Sequence, residues 1–377
     1  MSLWVACAVA VGFAAFQVIQ HHRFFDLHVY HSAMRWWVDG NPLYDYAQPD
    51  PIQGSLGFTY PPAGAFLLRP LAFLSEGAAL ALYLVLALAS LAVTVWWLIA
   101  PVARRQGWPA PWAFGAALVL TLGLGPVWSS VDFGQINPLL WALVVLDLAV
   151  LGPRGSRFFG VGIGLATAIK LVPGIFVLYL LVSRRWRAAA VAAGTAVVVT
   201  LAAHLAASAD SATFWTHTVW GGQGIGELSY VFNQSLAGAL GRAFAPAPFP
   251  TPLWAALCAV VLAYGLWRAR RAALNGDELA GLALVGLVGT LVSPVSWVHH
   301  IFWFAPALLA LVDTGLARSR PPLMWVAGGF YLVVMVSPVA RVGIPFLDVF
   351  VANSLVWLML ALLVLVPIDS RRAEARD

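Results

Sequence analysis

Apolar runs of 15 to 25 residues recur along the whole chain, from MSLWVACAVAVGFAAFQVIQ at the start to SLVWLMLALLVLV near the end. About 20 such residues cover the hydrocarbon layer of a bilayer. In lipid no water satisfies the backbone, so only helices or a closed barrel can cross. A barrel needs alternating strands of about ten residues, and the sequence contains none of these. The runs therefore predict an all-α polytopic membrane protein. Only 10% of the 377 residues are charged, against about a quarter in a soluble domain.

The runs predict about 12 spans, at 2–20, 77–100, 111–128, 136–151, 158–169, 171–183, 188–207, 252–267, 279–297, 300–313, 322–336 and 349–367, in one integral-membrane unit over 1–377. Residues 2–20 are expected as a retained anchor, because no basic segment precedes them and no small-x-small site stands before His21. Cys7 and Cys258 fall inside apolar runs, where a thiol packs as a small hydrophobe. Neither a disulfide nor a metal framework is implied.

Fifteen of the 21 basic residues fall in loops on one side, from Arg104 and Arg105 through Arg184, Arg185 and Arg187 to Arg371, Arg372 and Arg376. The positive-inside rule makes that side cytoplasmic. The net charge of +5 is then a topology signal and requires no nucleic-acid partner. The opposite face receives the long connections 21–76, 208–251 and 337–348, and the eight histidines lie there or near that end of a helix. Short interfacial helices are expected inside these loops. Long ordered loops carry function more often than short ones, so the chemistry is expected outside the cytoplasm.

In the first outer loop, FDLHVYH puts His22, Asp26 and Tyr30 four residues apart, on one face of a continuing helix. His22 and Tyr30 also suit an interfacial belt; an acidic residue suits it poorly. The segment FTYPPAGAFLLRPLAFLS, with Tyr60 in its aromatic cluster, is too short to span. A half-inserted helix over 61–74 is expected, with Arg69 at its edge. In SSVDFGQINP, Gln135 and Asn137 suit sugar hydroxyls or a helix cap. Lys170 is the one lysine, at the turn between two short spans, where its natural partner is an anion such as a lipid phosphate. The stretch FNQSLAGALGR offers Asn233, Gln234, Ser235 and Arg242 as donors, with capping by Asn233 as the other use. In LVSPVSWVHHIFWF, Ser296 and His300 would lie one helical turn apart, and one of His299 and His300 is expected to face a site. Phosphate-loop, zinc-helix, nucleophile-elbow and C-x-x-C motifs do not occur in the sequence.

Six stretches in this order resemble the actinobacterial membrane mannosyltransferases of glycosyltransferase family 87: FFDLHVYHSAMRWWVDGNPLY, FTYPPAGAFLLRPLAFL, FGQINPLL, GIGLATAIKLVP, FNQSLAGALGR and SPVSWVHH. The resemblance covers most of the chain up to residue 300 and weakens beyond it. It implies the GT-C fold, in which a carboxylate of the first outer loop is the catalytic base, the position of Asp26 here. It implies inverting transfer of mannose from polyprenyl phosphate mannose to a glycolipid such as a phosphatidylinositol mannoside, commonly through an α-(1→2) bond. Lys170, Arg242, His299 and His300 would hold the donor phosphate. His22, Tyr30, Tyr60, Gln135, Asn137, Asn233 and Ser235 would contact sugar or acceptor. No metal or other cofactor is expected, and the site would open on the outer face of the plasma membrane. Other readings are a polyprenyl phosphate arabinose or glucose donor, a lipid-linked sugar flippase, and a non-catalytic assembly protein.

Overall fold

The computed structural model describes residues 24–50, 54–221, 226–340 and 342–368. The first expected span and His22 lie outside these residues. The described chain is built of helices, joined by one two-stranded ribbon. Glu76–Gln106, Trp186–Ala206 and Thr251–Leu274 are long and apolar enough to cross a membrane, and Ala110–Leu122 with Gly125–Phe133 makes a fourth crossing if the pair, bent by 73°, is one span. Six further apolar helices have only 10–17 residues, which reach roughly 15–26 Å at a rise of 1.5 Å per residue.

Most expected spans coincide with a helix, but only three or four have full length, short of the expected 12. The physical reason is interruption. The expected span 279–297 ends as a helix at Val292, before Pro294, and the next helix begins only at Phe304. The chain between them carries the two adjacent histidines.

Glu76–Gln106 shows how local chemistry sets an element's ends. Ser75 caps it by accepting from Ala78 N–H at 3.3 Å, Arg104 and Arg105 stand in its last turn, and Gly107 closes it at φ 68°. These choices complement the helix dipole and the orphan end groups. Its 31 residues give a length of about 46 Å, so its arginine end is far from the Ser75 end. Ala79, Tyr83, Ala87, Leu91 and Leu98 are buried along one face, while Val85, Leu86 and Leu88 are exposed on the other. Glu278–Val292 is buried from Ala280 to Leu291 without interruption, as a helix at the centre of a bundle must be. At the arginine-rich side, Arg185 pairs with Glu278, and Arg105 pairs with Asp313 at 2.6 Å.

The two longest connections are tied together by specific bonds. Asp210 accepts from Trp37 Nε1 at 2.8 Å and from Leu43 N–H at 2.9 Å, tying the second connection to the first. Strand β1 (Ala47–Asp50) pairs antiparallel with β2 (Gly54–Gly57), where only helices were expected. The segment 61–74 folds as helix Pro62–Leu68 followed by a 3-10 turn over Arg69–Phe73. Arg69 lies over the Trp37 ring at 5.5 Å, beside Phe66.

Candidate active site

Helix Phe25–Val38 carries Asp26 in its first turn, where the free backbone N–H groups favour a carboxylate. Phe24, just before it, has φ 57° and donates its N–H to Asp132 O at 2.9 Å. A left-handed bulky residue costs on the order of 1 kcal/mol, and this contact fixes the helix start against Gly125–Phe133. That helix closes on Gly134, at φ 78°, whose absent Cβ would lie 2.5 Å from Leu27 Cβ. Gln135 therefore meets Asp26 because a glycine precedes it.

A hydrogen-bonded chain runs through the site. The hydroxyls of Tyr30 and Tyr60 are 2.7 Å apart, Tyr60 donates to Gln135 Oε1 at 2.8 Å, and Gln135 Nε2 donates to Asp26 Oδ2 at 2.5 Å. The same amide nitrogen lies 3.3 Å from His299 Nε2. His299 Nε2 lies 4.0 Å from Asp26 Oδ2, and its ring packs on Phe133. The Asp26 side chain keeps 18% of its surface exposed, enough for a hydroxyl to reach it. Burial pushes the Tyr60 phenol up, opposed by Tyr30 and helped by Asp26; it stays a neutral donor.

Lys170 ends helix Val161–Ile169, and Pro173, three residues later in a 3-10 turn, redirects the path. Its ammonium donates to Asn137 Oδ1 at 3.0 Å, His300 Nε2 at 3.2 Å and Tyr60 Oη at 3.4 Å, and lies 4.9 Å from the Tyr60 ring centre. Among the described residues none of these partners is a carboxylate. Burial lowers the Lys170 pKa to about 7, against the opposing pull of Asp26. Burial, then Lys170 and His299, push His300 down, so it is a neutral acceptor. Gly64 makes the approach possible: a Cβ there would stand 2.8 Å from Ile169 O and 3.2 Å from Tyr60 Cβ.

Both histidines join this cluster, contrary to the expectation that one would. They lie on a 3-10 turn, Val298–His300, with ring centres 4.7 Å apart, and Gln135 and Lys170 approach them from different elements. Ser296 and His300 are not on one helix. Asn137 makes no cap; it holds His299 O at 2.9 Å.

The donors of FNQSLAGALGR do not join the cluster. Asn233 donates to Leu228 O and Pro294 O and accepts from Ser296 N–H, and Ser235 caps helix Leu236–Phe244 and donates to Pro294 O. Arg242 bonds Tyr230 O, Asn233 O and Asn353 Oδ1. These bonds are made to the protein itself and hold the segment that delivers His299 and His300. Sequence reasoning missed Phe133, which backs His299, and Tyr44, which donates to Tyr60 O at 2.9 Å. Their signal was only adjacency to polar motif residues. Among the described residues no group of three or more His, Cys, Asp or Glu is arranged to hold a metal ion.

The glycosyltransferase family 87 profile matches residues 58–294. The chain belongs to glycosyltransferase family 87. Among its relatives is a Mycobacterium tuberculosis protein described as a polyprenol-phosphate-mannose-dependent α-(1-2)-phosphatidylinositol mannoside mannosyltransferase, 36% identical over 338 residues, covering 85% of this chain and 78% of that one. A second from the same species, described as the corresponding pentamannoside mannosyltransferase, is 33% identical over 88% of this chain and 75% of its own. An α-(1→3)-arabinofuranosyltransferase of that species is 28% identical over 78% of this chain and 66% of its own. No solved structure matches. As a family 87 member this chain is a glycosyltransferase.

Proposed function

We propose that this glycosyltransferase moves mannose from polyprenyl phosphate mannose to a phosphatidylinositol mannoside or related lipoglycan on the outer face of the plasma membrane, forming an α-(1→2) bond with inversion, within a GT-C-type bundle. The donor and acceptor classes rest on the relatives at 33–36% identity. The observation that carries the mechanism is the charge arrangement: a carboxylate and an ammonium stand at two ends of one neutral bridge, Gln135 and Tyr60.

Asp26 takes the proton of the acceptor hydroxyl as that oxygen bonds to the anomeric carbon. The carbon–oxygen bond to phosphate breaks on the opposite face, and its electron pair leaves with the polyprenyl phosphate. Lys170, whose partners are neutral, is the seat for the phosphate charge. The bond to Tyr60, its longest at 3.4 Å, is the one an incoming phosphate oxygen replaces. Gln135 orients Asp26, and His300 with Asn137 orients Lys170.

The test is incubation of the purified protein with polyprenyl phosphate mannose and a panel of phosphatidylinositol mannosides, with the linkage read by methylation analysis. A new 2-linked mannose is expected. Transfer from polyprenyl phosphate arabinose alone would overturn the donor assignment.

A further inference from the structure

We infer that the open groove between the β1–β2 ribbon and residues 213–220 is a binding subsite for the polyhydroxylated head group of the acceptor. The groove has a volume of about 860 Å³ and is lined by Tyr44, Asp45, Tyr46, Thr216, His217 and Trp220, among others. That volume is within the range of about 300–1,000 Å³ typical of small-molecule sites. The acceptor class rests on the mannosyl-transfer reading above; the existence of a site here rests on the groove itself.

Its lining matches sugar chemistry. A pyranose has apolar C–H faces and a rim of hydroxyls, so it needs aromatic platforms beside short polar side chains. Trp220 is 79% exposed, yet its ring is held in place by donation from Nε1 to Trp215 O at 2.8 Å. A fixed, exposed indole face is a ready platform. Asp45 and His217 are exposed beside it, and the Thr216 hydroxyl, which donates to Ala212 O at 2.7 Å, keeps its acceptor positions free for a ligand. Residues 214–218 form a π-helical turn, a local geometry that often marks functional sites.

Packed rings join the wall of the groove to the proposed centre. Phe58 forms part of its lining and packs on Tyr60 at 5.7 Å, while Tyr44 packs on Phe58 at 6.2 Å and bonds Tyr60 O. Tyr60 leads through Gln135 to Asp26. In this proposal the reacting hydroxyl is at Asp26 and the remaining sugars of the acceptor lie on the groove side of this ring wall.

The experiment measures direct binding of the deacylated head group of a phosphatidylinositol mannoside to the full chain in lipid nanodiscs, by saturation-transfer NMR and titration calorimetry, with no turnover required. Trp220→Ala and His217→Ala are each expected to weaken binding at least tenfold, and Trp220→Phe to restore most of it. Retained affinity in Trp220→Ala would overturn the subsite. So would a parent protein that does not bind the head group, or a loss confined to the lipid-bearing acceptor, which would make Trp220 a bilayer-belt residue. Head-group binding that depends on Trp220 in a parent that transfers no mannose would keep the subsite and sink the mannosyl-transfer reading.

Discussion

At the scale of single residues, Lys170 carries the sharpest consequence. Its ammonium is held by Asn137, His300 and Tyr60, all neutral, with Asp26 as the acidic group that pulls on it, so an anionic ligand would add charge compensation. Lys170→Met is expected to raise the donor KM by about ten- to a hundredfold, the equivalent of about 1.5–3 kcal/mol for a charge-assisted bond, with a smaller effect on the acceptor KM. Unchanged donor kinetics would remove Lys170 from the site. The same residue predicts a pH limb. With a pKa of about 7, the proton is lost as pH rises through that value. Since kcat/KM reports the free enzyme, kcat/KM for the donor should fall about tenfold per pH unit above about 7, and the limb should vanish in Lys170→Met. Lys170 was legible as a candidate because a lone lysine at a turn between apolar runs has no topological need. The opposite held for Arg242 and Asn233. A single sequence shows donors but not whether they face a ligand or the protein's own carbonyls, and here they face Tyr230, Leu228 and Pro294.

At the scale of elements, the site exists because short helices from distant parts of the chain approach at two glycines. Gly134 lets Gly125–Phe133 close against Leu27, and Gly64 lets Pro62–Leu68 lie on the end of Val161–Ile169. Gly64→Ala would force a Cβ to 2.8 Å from Ile169 O, moving Tyr60 away from Lys170. Overpacking of this kind costs about 1–3 kcal/mol, and a misplacement near 1 Å can cost roughly a hundredfold in rate. The variant should melt at a lower temperature and lose at least tenfold in turnover; parental turnover would show that the approach of the two helices does not matter to the chemistry. The apolar runs located most helices, because hydropathy alone specifies them. They overstated helix length where a proline or glycine interrupts, as before His299. They were silent on the β1–β2 ribbon, whose strands AQPD and GSLG contain a proline, glycines and no apolar alternation.

At the scale of the whole molecule, the chain divides its polar chemistry by side. Glu76–Gln106 begins at Ser75 and ends at Arg104 and Arg105, and its length and composition suffice to cross a membrane. With the native cysteines replaced, single cysteines at Ser55 and His217 should react with an impermeant maleimide in intact cells. Cysteines at Arg154 and Asn275 should react only after permeabilisation. Protection of Ser55 and His217 in intact cells would invert the topology. The central claim is that this assembly is a transferase whose base is Asp26. The most direct measurement compares the purified parent and Asp26→Asn for mannose transfer and for donor binding in the same preparation. The amide keeps shape and a hydrogen-bonding oxygen but accepts no proton at neutral pH, so transfer should fall about a hundred- to ten-thousandfold while donor affinity stays near the parent's. Transfer by Asp26→Asn within about threefold of the parent, less than 1 kcal/mol of barrier, would contradict the account.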